Sequence, residues 1–286
     1  MNPYLEILRP ANAMMAIIAV VLIAIIGYNY NTFLFSYYIP IGLGILAVFL
    51  ATGAGNAIND YFDHEIDAIN RPDRPIPSGR ISLKNAKTYA VILFIIAIIL
   101  GIAIGVIINN YLPLIIVLFN SILMYLYAYY FKSTVLFGNI IIAYLTASCF
   151  IFGGIIINLV EIAIYLGCFA FLMTLAREIV KDIEDIEGDA EGGATTLPIK
   201  YGTKLSSILS SIFILVPTIF SPVLYFIGIF NIFYLIPLAI AILIFLFASY
   251  RILGSQDSKT CGEVSKLIKI GMFISFVAFA IGSISF

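Results

Sequence analysis

Six aspartates in two short stretches are the residues of this chain best suited to chemistry. In the first stretch Asn56, Asp60, Asp63 and Asp67 recur at intervals of three or four, with Asn59 beside them. In the second, Asp182, Asp185 and Asp189 repeat the spacing, with Glu178 one turn earlier. Residues three and four apart share one face of a helix, so each stretch predicts a row of carboxylates. Like charges in such a row destabilise an isolated helix, so something positive must compensate, and a cation is the natural candidate.

Clustered carboxylates with an amide select a hard cation with oxygen ligands, meaning Mg²⁺, Mn²⁺ or Ca²⁺. His64 is the only histidine and reads as an imidazole on the far face of its helix, which argues against zinc. Cys149, Cys168 and Cys261 have no metal-type spacing and read as small apolar residues. The glycine and bidentate glutamate of a calcium loop are absent. Mg²⁺ keeps waters and bridges one or two carboxylates to substrate phosphates, so the pattern implies a phosphorylated substrate. Arg71, Arg74, Lys132, Arg177 and Lys181 would complete a phosphate clamp, although each taken alone is equally a topology signal. Phe and Tyr make up 14% of the chain, which suits a ligand with an ionic head and a long apolar tail. A prenyl diphosphate is such a molecule. Cations neutralise the charge that develops on departing pyrophosphate, and an apolar aromatic pocket keeps the allylic cation from water.

The elements that position these residues are membrane spans. Of 286 residues 62% are hydrophobic and 11% charged, less than half the charge of an average soluble domain. Nine apolar runs of about bilayer-crossing length are expected, near Ala11 to Gly27, Tyr38 to Ile58, Ala86 to Ile108, Leu112 to Tyr130, Gly138 to Ile157, Ile162 to Leu175, Leu205 to Ile227, Phe233 to Tyr250 and Leu267 to Ile284. The expected fold is therefore all-α, a polytopic membrane protein of about nine transmembrane helices, in a single domain over residues 1–286. All fifteen Lys and Arg fall before the first run or in alternate connections, and of the sixteen acids only Glu161 lies on the other side. The positive-inside rule then puts the N-terminus and the acidic stretches at the cytoplasmic face and the C-terminus outside. Arg9 balanced by Glu6 is a poor signal-peptide basic region, so the first span is expected to be retained, with no soluble domain appended. Two inner connections are long and polar, Asn59 to Lys84 and Arg177 to Lys204. In the first, the helix is expected to continue to about Asp67, after which Pro72, Pro75 and Pro77 impose an extended strap. Asp63 with Asp67 and Asp185 with Asp189 repeat one Asp-x-x-x-Asp device, each followed by Gly, Pro and a new span, which suggests an internal duplication that brings the two acidic ends together.

These motifs resemble those of the UbiA superfamily of intramembrane prenyltransferases. The first, Asn-Asp-x-x-Asp-x-x-x-Asp, matches at Asn59, Asp60, Asp63 and Asp67, and the second, Asp-x-x-x-Asp, at Asp185 and Asp189. The strap from Arg71 to Gly79, Arg9-Pro10 and Lys132 are also similar to the family, and the likeness covers essentially the whole chain. The resemblance implies a Mg²⁺-dependent prenyltransferase with spans around a central cavity, capped on the cytoplasmic side. Asn59, Asp63, Asp67, Asp185 and Asp189 would be metal and diphosphate ligands, and Asp60 and Asp182 auxiliary ligands or the base for an acceptor hydroxyl. Arg9, Arg71, Arg74, Lys132 and Lys181, with Asn56 and Arg177 beside the motifs, would hold phosphate. Within the family the strap and second motif look most like the branch that builds archaeal ether lipids, by joining a geranylgeranyl group to the free hydroxyl of geranylgeranylglyceryl phosphate and releasing pyrophosphate.

Three rivals remain open on sequence. An aromatic or quinone-precursor acceptor would use the same site. An ion or solute transporter would also place acids in membrane helices, though near the midplane rather than at one end. A phosphatidyl transferase would need Asp-Gly and Ala-Arg ahead of its Asp-x-x-x-Asp, which Ala54 to Ala57 do not supply. The partners expected are a prenyl diphosphate, a lipid-like acceptor and membrane lipid, with no sign of nucleic acid or of an obligate protein partner.

Overall fold

The computed structural model describes residues 2–30 and 34–284, apart from the side chain of Asn12, and all its regular elements are helices. Among the described residues eight helices are long and apolar enough to cross a membrane. The first expected run forms the helix Pro10–Asn29, whose apolar part, Ala13–Asn29, is shorter. The protein is a multi-pass membrane protein. The sequence forces this secondary structure, because backbone donors and acceptors in hydrocarbon must be satisfied within their own segment.

The helix ends follow local chemistry. Ser82 caps Leu83–Ile108 by accepting from the Asn85 amide at 3.3 Å, and Asn109, at φ 52°, closes it in a left-handed turn. Pro113 opens Leu112–Tyr129. Asn158, at φ 58°, lies in the tight reversal between Phe137–Ile156 and Val160–Glu184.

Three expected boundaries move. The sixth span, expected at Ile162 to Leu175, is the helix Val160–Glu184, so the beginning of the second long connection is helical. The ninth, expected from Leu267, begins at Ser258 and carries Lys259, Glu263, Lys266 and Lys269 on its first turns. Apolar composition marks only the part of a helix that meets lipid, whereas charged residues prolong it readily in water or headgroups. The proline strap is the third correction. It is coiled, not extended: amide to carbonyl bonds join Arg74 to Arg71 (3.0 Å), Ser78 to Arg74 (3.0 Å) and Ile81 to Pro75 (2.9 Å), and Gly79 supplies a φ of 73°. Pro presets the φ of successive tight turns as readily as it sets an extended one.

Backbone contacts divide the chain into two compact units, Met1–Ala24 with Leu34–Lys132 and Ser148–Ala163, and Ile25–Phe33 with Ser133–Ala147 and Ile164–Phe286. In the first, Tyr38–Phe62 packs chiefly on Leu83–Ile108. Its core joins Ile7 and Leu8 to Ala54, Ala57, Ile58, Ala86, Ala90 and Leu93. Small residues at this seam let the helix backbones approach, which replaces the hydrophobic drive that lipid cannot provide. In the second, Ala176, Val180 and Ile183 meet Ile214, Phe245, Ile252, Val264 and Ile268.

Two predictions test this packing. A Cβ at Gly154 would lie 2.3 Å from that of Ala163 and 2.9 Å from the Leu159 carbonyl, whereas one at Gly42 would meet nothing within 4 Å. Gly154→Ala therefore destabilises by about 1–3 kcal/mol, read as a lowered unfolding midpoint in detergent, while Gly42→Ala leaves the midpoint unchanged. Asp257 caps the last span, accepting from the Thr260 amide at 2.9 Å, and hydrogen bonds from Ser255 and Thr260 hold its carboxyl well below the usual range. A depressed folded-state value means the cap's contribution persists above the ordinary carboxylate range and fades only as pH falls through the depressed value. Amide exchange at the first turn of that helix should stay slow at pH 4 in the native chain and speed up in Asp257→Ala.

Candidate active site

The first acidic motif sits where a long helix breaks. Tyr38–Phe62 ends at Asp63, which leaves helical geometry at φ −84° and ψ 3°, and His64–Asn70 begins immediately after it. The expectation of one helix continuing to about Asp67 is thus corrected: the chain kinks at Asp63 and the following helix outlasts Asp67. Hydrogen bonds from the Asp63 amide to Asn59 (2.9 Å) and from the Asp67 amide to Asp63 (2.8 Å) still carry the helical pattern through the kink. The acids therefore stay near one another.

Cations from three other segments meet these carboxylates. Asp60, only 3% exposed, pairs with Arg9 and, at 3.3 Å, with Arg74. Arg74 also reaches Asp67, itself buried, at 2.5 Å. Asp63 accepts from Lys132 and from the Asn59 amide, the latter at 2.7 Å. The compensating charge anticipated from the sequence is thus provided here by Arg and Lys side chains. Arg9 takes part at a cost, since its φ of 48° is a left-handed conformation that a non-glycine residue adopts rarely. The cost is consistent with a guanidinium held where the buried Asp60 requires it. Asn56 is committed elsewhere, donating to the Leu8 carbonyl at 2.8 Å and so tying the N-terminal segment to the motif helix. Arg71 is exposed at the end of His64–Asn70 and joins none of these pairs. His64 lies with Nδ1 3.0 Å from the Tyr61 carbonyl.

The second motif repeats the local design. Val160–Glu184 ends at Asp185, at φ −99° and ψ 11°, and Ile186–Glu191 follows. Amide bonds from Asp185 to Lys181 and from Asp189 to Asp185, both 2.9 Å, match those of the first motif. The preceding helices are each 25 residues long. This parallel supports the duplication suggested by the sequence.

The charge environment differs between the motifs. Arg177 and Lys181 both turn to Glu178, at 2.9 and 3.2 Å, and the Arg177 Nε is buried without a partner. Asp182 accepts from the Asn139 amide at 2.8 Å. Asp185 is exposed and Asp189 partly so. Among the described residues no three acidic, His or Cys side chains gather closely enough to form a metal cage. The donors nevertheless fit Mg²⁺, which takes one or two carboxylates together with substrate oxygens, and Asp185 stands open. Asn139 was missed by sequence reasoning. Its only signal is an amide at the head of an apolar run, seven residues after Lys132.

Comparison with known proteins completes the description. A model of the UbiA prenyltransferase family matches residues 15–277. A Methanobrevibacter smithii protein named digeranylgeranylglyceryl phosphate synthase is 52% identical over 286 residues, covering 99% of this chain and 98% of its own. One of the same name from Methanothermobacter thermautotrophicus is 51% identical over 283 residues, with 99% and 96% covered. A solved structure from work on "Digeranylgeranylglyceryl phosphate synthase in membranes" is 39% identical, with a TM-score of 0.84 over 99% of this chain and 98% of that one. A UbiA homolog from Archaeoglobus fulgidus bound to GPP and Mg²⁺ shares the fold at 16% identity, with a TM-score of 0.61 over 97% and 99%. With a match that runs from the first long helix into the last and takes in both acidic motifs, the chain belongs to the UbiA prenyltransferase family.

Proposed function

We propose that this protein transfers a geranylgeranyl group from geranylgeranyl diphosphate to the free hydroxyl of geranylgeranylglyceryl phosphate, releasing pyrophosphate, as a step of archaeal ether-lipid synthesis. The observation that carries this reading is the end-to-end identity of 51–52% with synthases named for that product. Both acidic motifs lie inside the aligned length. The two units act together as one transmembrane prenyltransferase domain. Its motifs face the cytoplasm, with the N-terminus inside and the C-terminus outside, as the distribution of Lys and Arg indicates.

In this reading Asn59, Asp63, Asp67, Asp185 and Asp189 would hold Mg²⁺. When bound, the ion neutralises charge developing on the departing diphosphate. Lys132 and Arg74 now pair with Asp63 and Asp67, and diphosphate oxygens offer them equivalent anionic partners. Were the carboxylates to hold the ion, these cations would be available to the phosphates. Arg71, exposed and outside the ion-pair network, is available to phosphate without any exchange. Arg9 remains on Asp60, which is buried too deeply to give it up readily. Arg177 and Lys181 are arranged around Glu178 for the acceptor's phosphate, which bears the same charge. The carbon to oxygen bond of the donor breaks with its electron pair going to diphosphate, and the acceptor oxygen forms the new ether bond.

Product mass spectrometry with geranylgeranyl diphosphate and Mg²⁺ tests the reading directly. A product is expected with geranylgeranylglyceryl phosphate and none with 4-hydroxybenzoate; the opposite preference would reassign the acceptor. Asp63→Ala and Asp185→Ala should each lower turnover at least about 100-fold with normal yield of folded protein, the scale of a lost transition-state charge contact. The two cations should then separate by stability. Arg74→Ala strands Asp60 and Asp67 in part and should cost about 3–5 kcal/mol in unfolding as well as activity. Lys132→Ala, at a site 42% exposed, should lower activity with little change in unfolding midpoint.

A further inference from the structure

We infer that Asn139 is a positioning residue for Asp182, and that Asp182, so held, is the base that takes the proton of the acceptor hydroxyl. This deepens the proposed transfer reaction and rests on it.

The two motifs treat their carboxylates differently. Asp60 is locked between Arg9 and Arg74, Asp67 is paired with Arg74 and Asp63 with Lys132. A carboxylate neutralised by a guanidinium is a poor proton acceptor, because protonation would strand the cation. Asp182 has a neutral partner. Asn139, itself 7% exposed, donates one N–H to Oδ2 at 2.8 Å. An amide donor orients a carboxylate without cancelling its charge, and it leaves Oδ1 free for a second hydrogen bond. The charged neighbours of Asp182 in its unit are Lys181, Glu178 and Asp189. The nearest cation among them is engaged, since Lys181 donates to Glu178 at 3.2 Å. No cation therefore neutralises Asp182, and the amide gives it a fixed direction.

The backbone that delivers Asn139 is strained, which a merely space-filling amide does not require. Leu136, three residues earlier, has φ 63°, a conformation unfavourable for a bulky side chain. The Phe137 amide donates to Val135 at 2.7 Å and that of Ile140 to Leu136 at 2.9 Å, so the helix starts sharply at this point. Leu136 packs with Val135 on Ala143, Leu175, Ile179 and Leu197. Ile179 is one turn before Asp182 on the same helix. Strain that fixes the start of one helix against the acidic end of another fixes the amide to carboxylate distance, and such strain persists where its product is used.

The step balances. The acceptor O–H proton goes to the free Asp182 oxygen, the oxygen lone pair forms the bond to the allylic carbon, and diphosphate leaves with the electrons of the broken bond. Asp182 returns its proton to water after product release.

The test uses the full-length protein in liposomes. Asn139→Leu should lower kcat about 10- to 100-fold, the scale for loss of a group that orients a functional residue, with the KM for geranylgeranyl diphosphate changed less than about twofold. Asn139→Gln, which keeps an amide, should recover part of the loss. In an Asp182→Asn background, Asn139→Leu should have no further effect, because the amide acts only through that carboxylate. Calorimetric binding of Mg²⁺ with inorganic pyrophosphate should match wild type in Asn139→Leu and Asp182→Asn alike. Additive losses in the double variant, or a fall in pyrophosphate affinity equal to the fall in kcat, would overturn the inference by making the pair structural or metal-binding. Should Asn139→Leu not fold, Asn139→Ser, too short to reach, carries the same expectations. A wild-type protein that transfers no prenyl group to the acceptor sinks the parent reading instead.

Discussion

A carboxylate drawn below the surface of a membrane protein must be met by a positive charge or a hydrogen-bond donor. Asp60 is buried near the end of a largely apolar helix and Asp67 in the short helix that follows, and without Arg9 and Arg74 they would be expensive there. Much of the first unit follows from this need. The N-terminal segment must return to bring Arg9, and it is pinned by the Asn56 bond to Leu8 and by Ile7 and Leu8 in the core. The strap must coil so that Arg74 folds back over the helix from which it departed. Ile76 and Ile81 seat it on that core, and Arg80, paired with Glu6 at 2.6 Å, ties its far end to the N-terminal segment.

The interruption of the helices at Asp63 and Asp185 has a related cause. A straight helix would present each Asp-x-x-x-Asp pair as a simple stripe, with the second acid one turn farther along the axis. A non-helical ψ at the first acid interrupts the helix there, while the retained amide bonds carry the helical pattern on to the second acid. Both motifs make the kink at the same position, although the intervening sequences, His-Glu-Ile and Ile-Glu-Gly, share little beyond a glutamate.

The sequence made a good deal of this legible. Apolar run lengths located the spans, because hydrocarbon admits hardly any other backbone structure. The spacing of Asp63 with Asp67 and Asp185 with Asp189 identified the motifs, because helical periodicity survives the kink. Other features lay beyond a local reading. The coiled strap escaped it because a proline series is compatible with turns and with extension, and Arg74 decides between them through partners fourteen and seven residues upstream. Asn139 escaped it because one amide in an apolar run has no pattern, and its meaning lies forty-three residues away at Asp182. The apolar run stopped at Leu175 because hydropathy reports the solvent, whereas the spacing from Glu178 to Asp189 carried the helix onward, as the continuation of Val160–Glu184 bears out.

The motifs also differ in what they demand of a ligand. From Arg177 to Glu191 the chain places seven acids against two bases, and both bases are drawn to Glu178, so this stretch requires added positive charge. The first motif is close to balanced once Arg9 and Lys132 are counted with it, and its cations are released only to another anion. Free magnesium would satisfy the second motif and find the first already paired. Free diphosphate would suit the cations of the first and be repelled by the second.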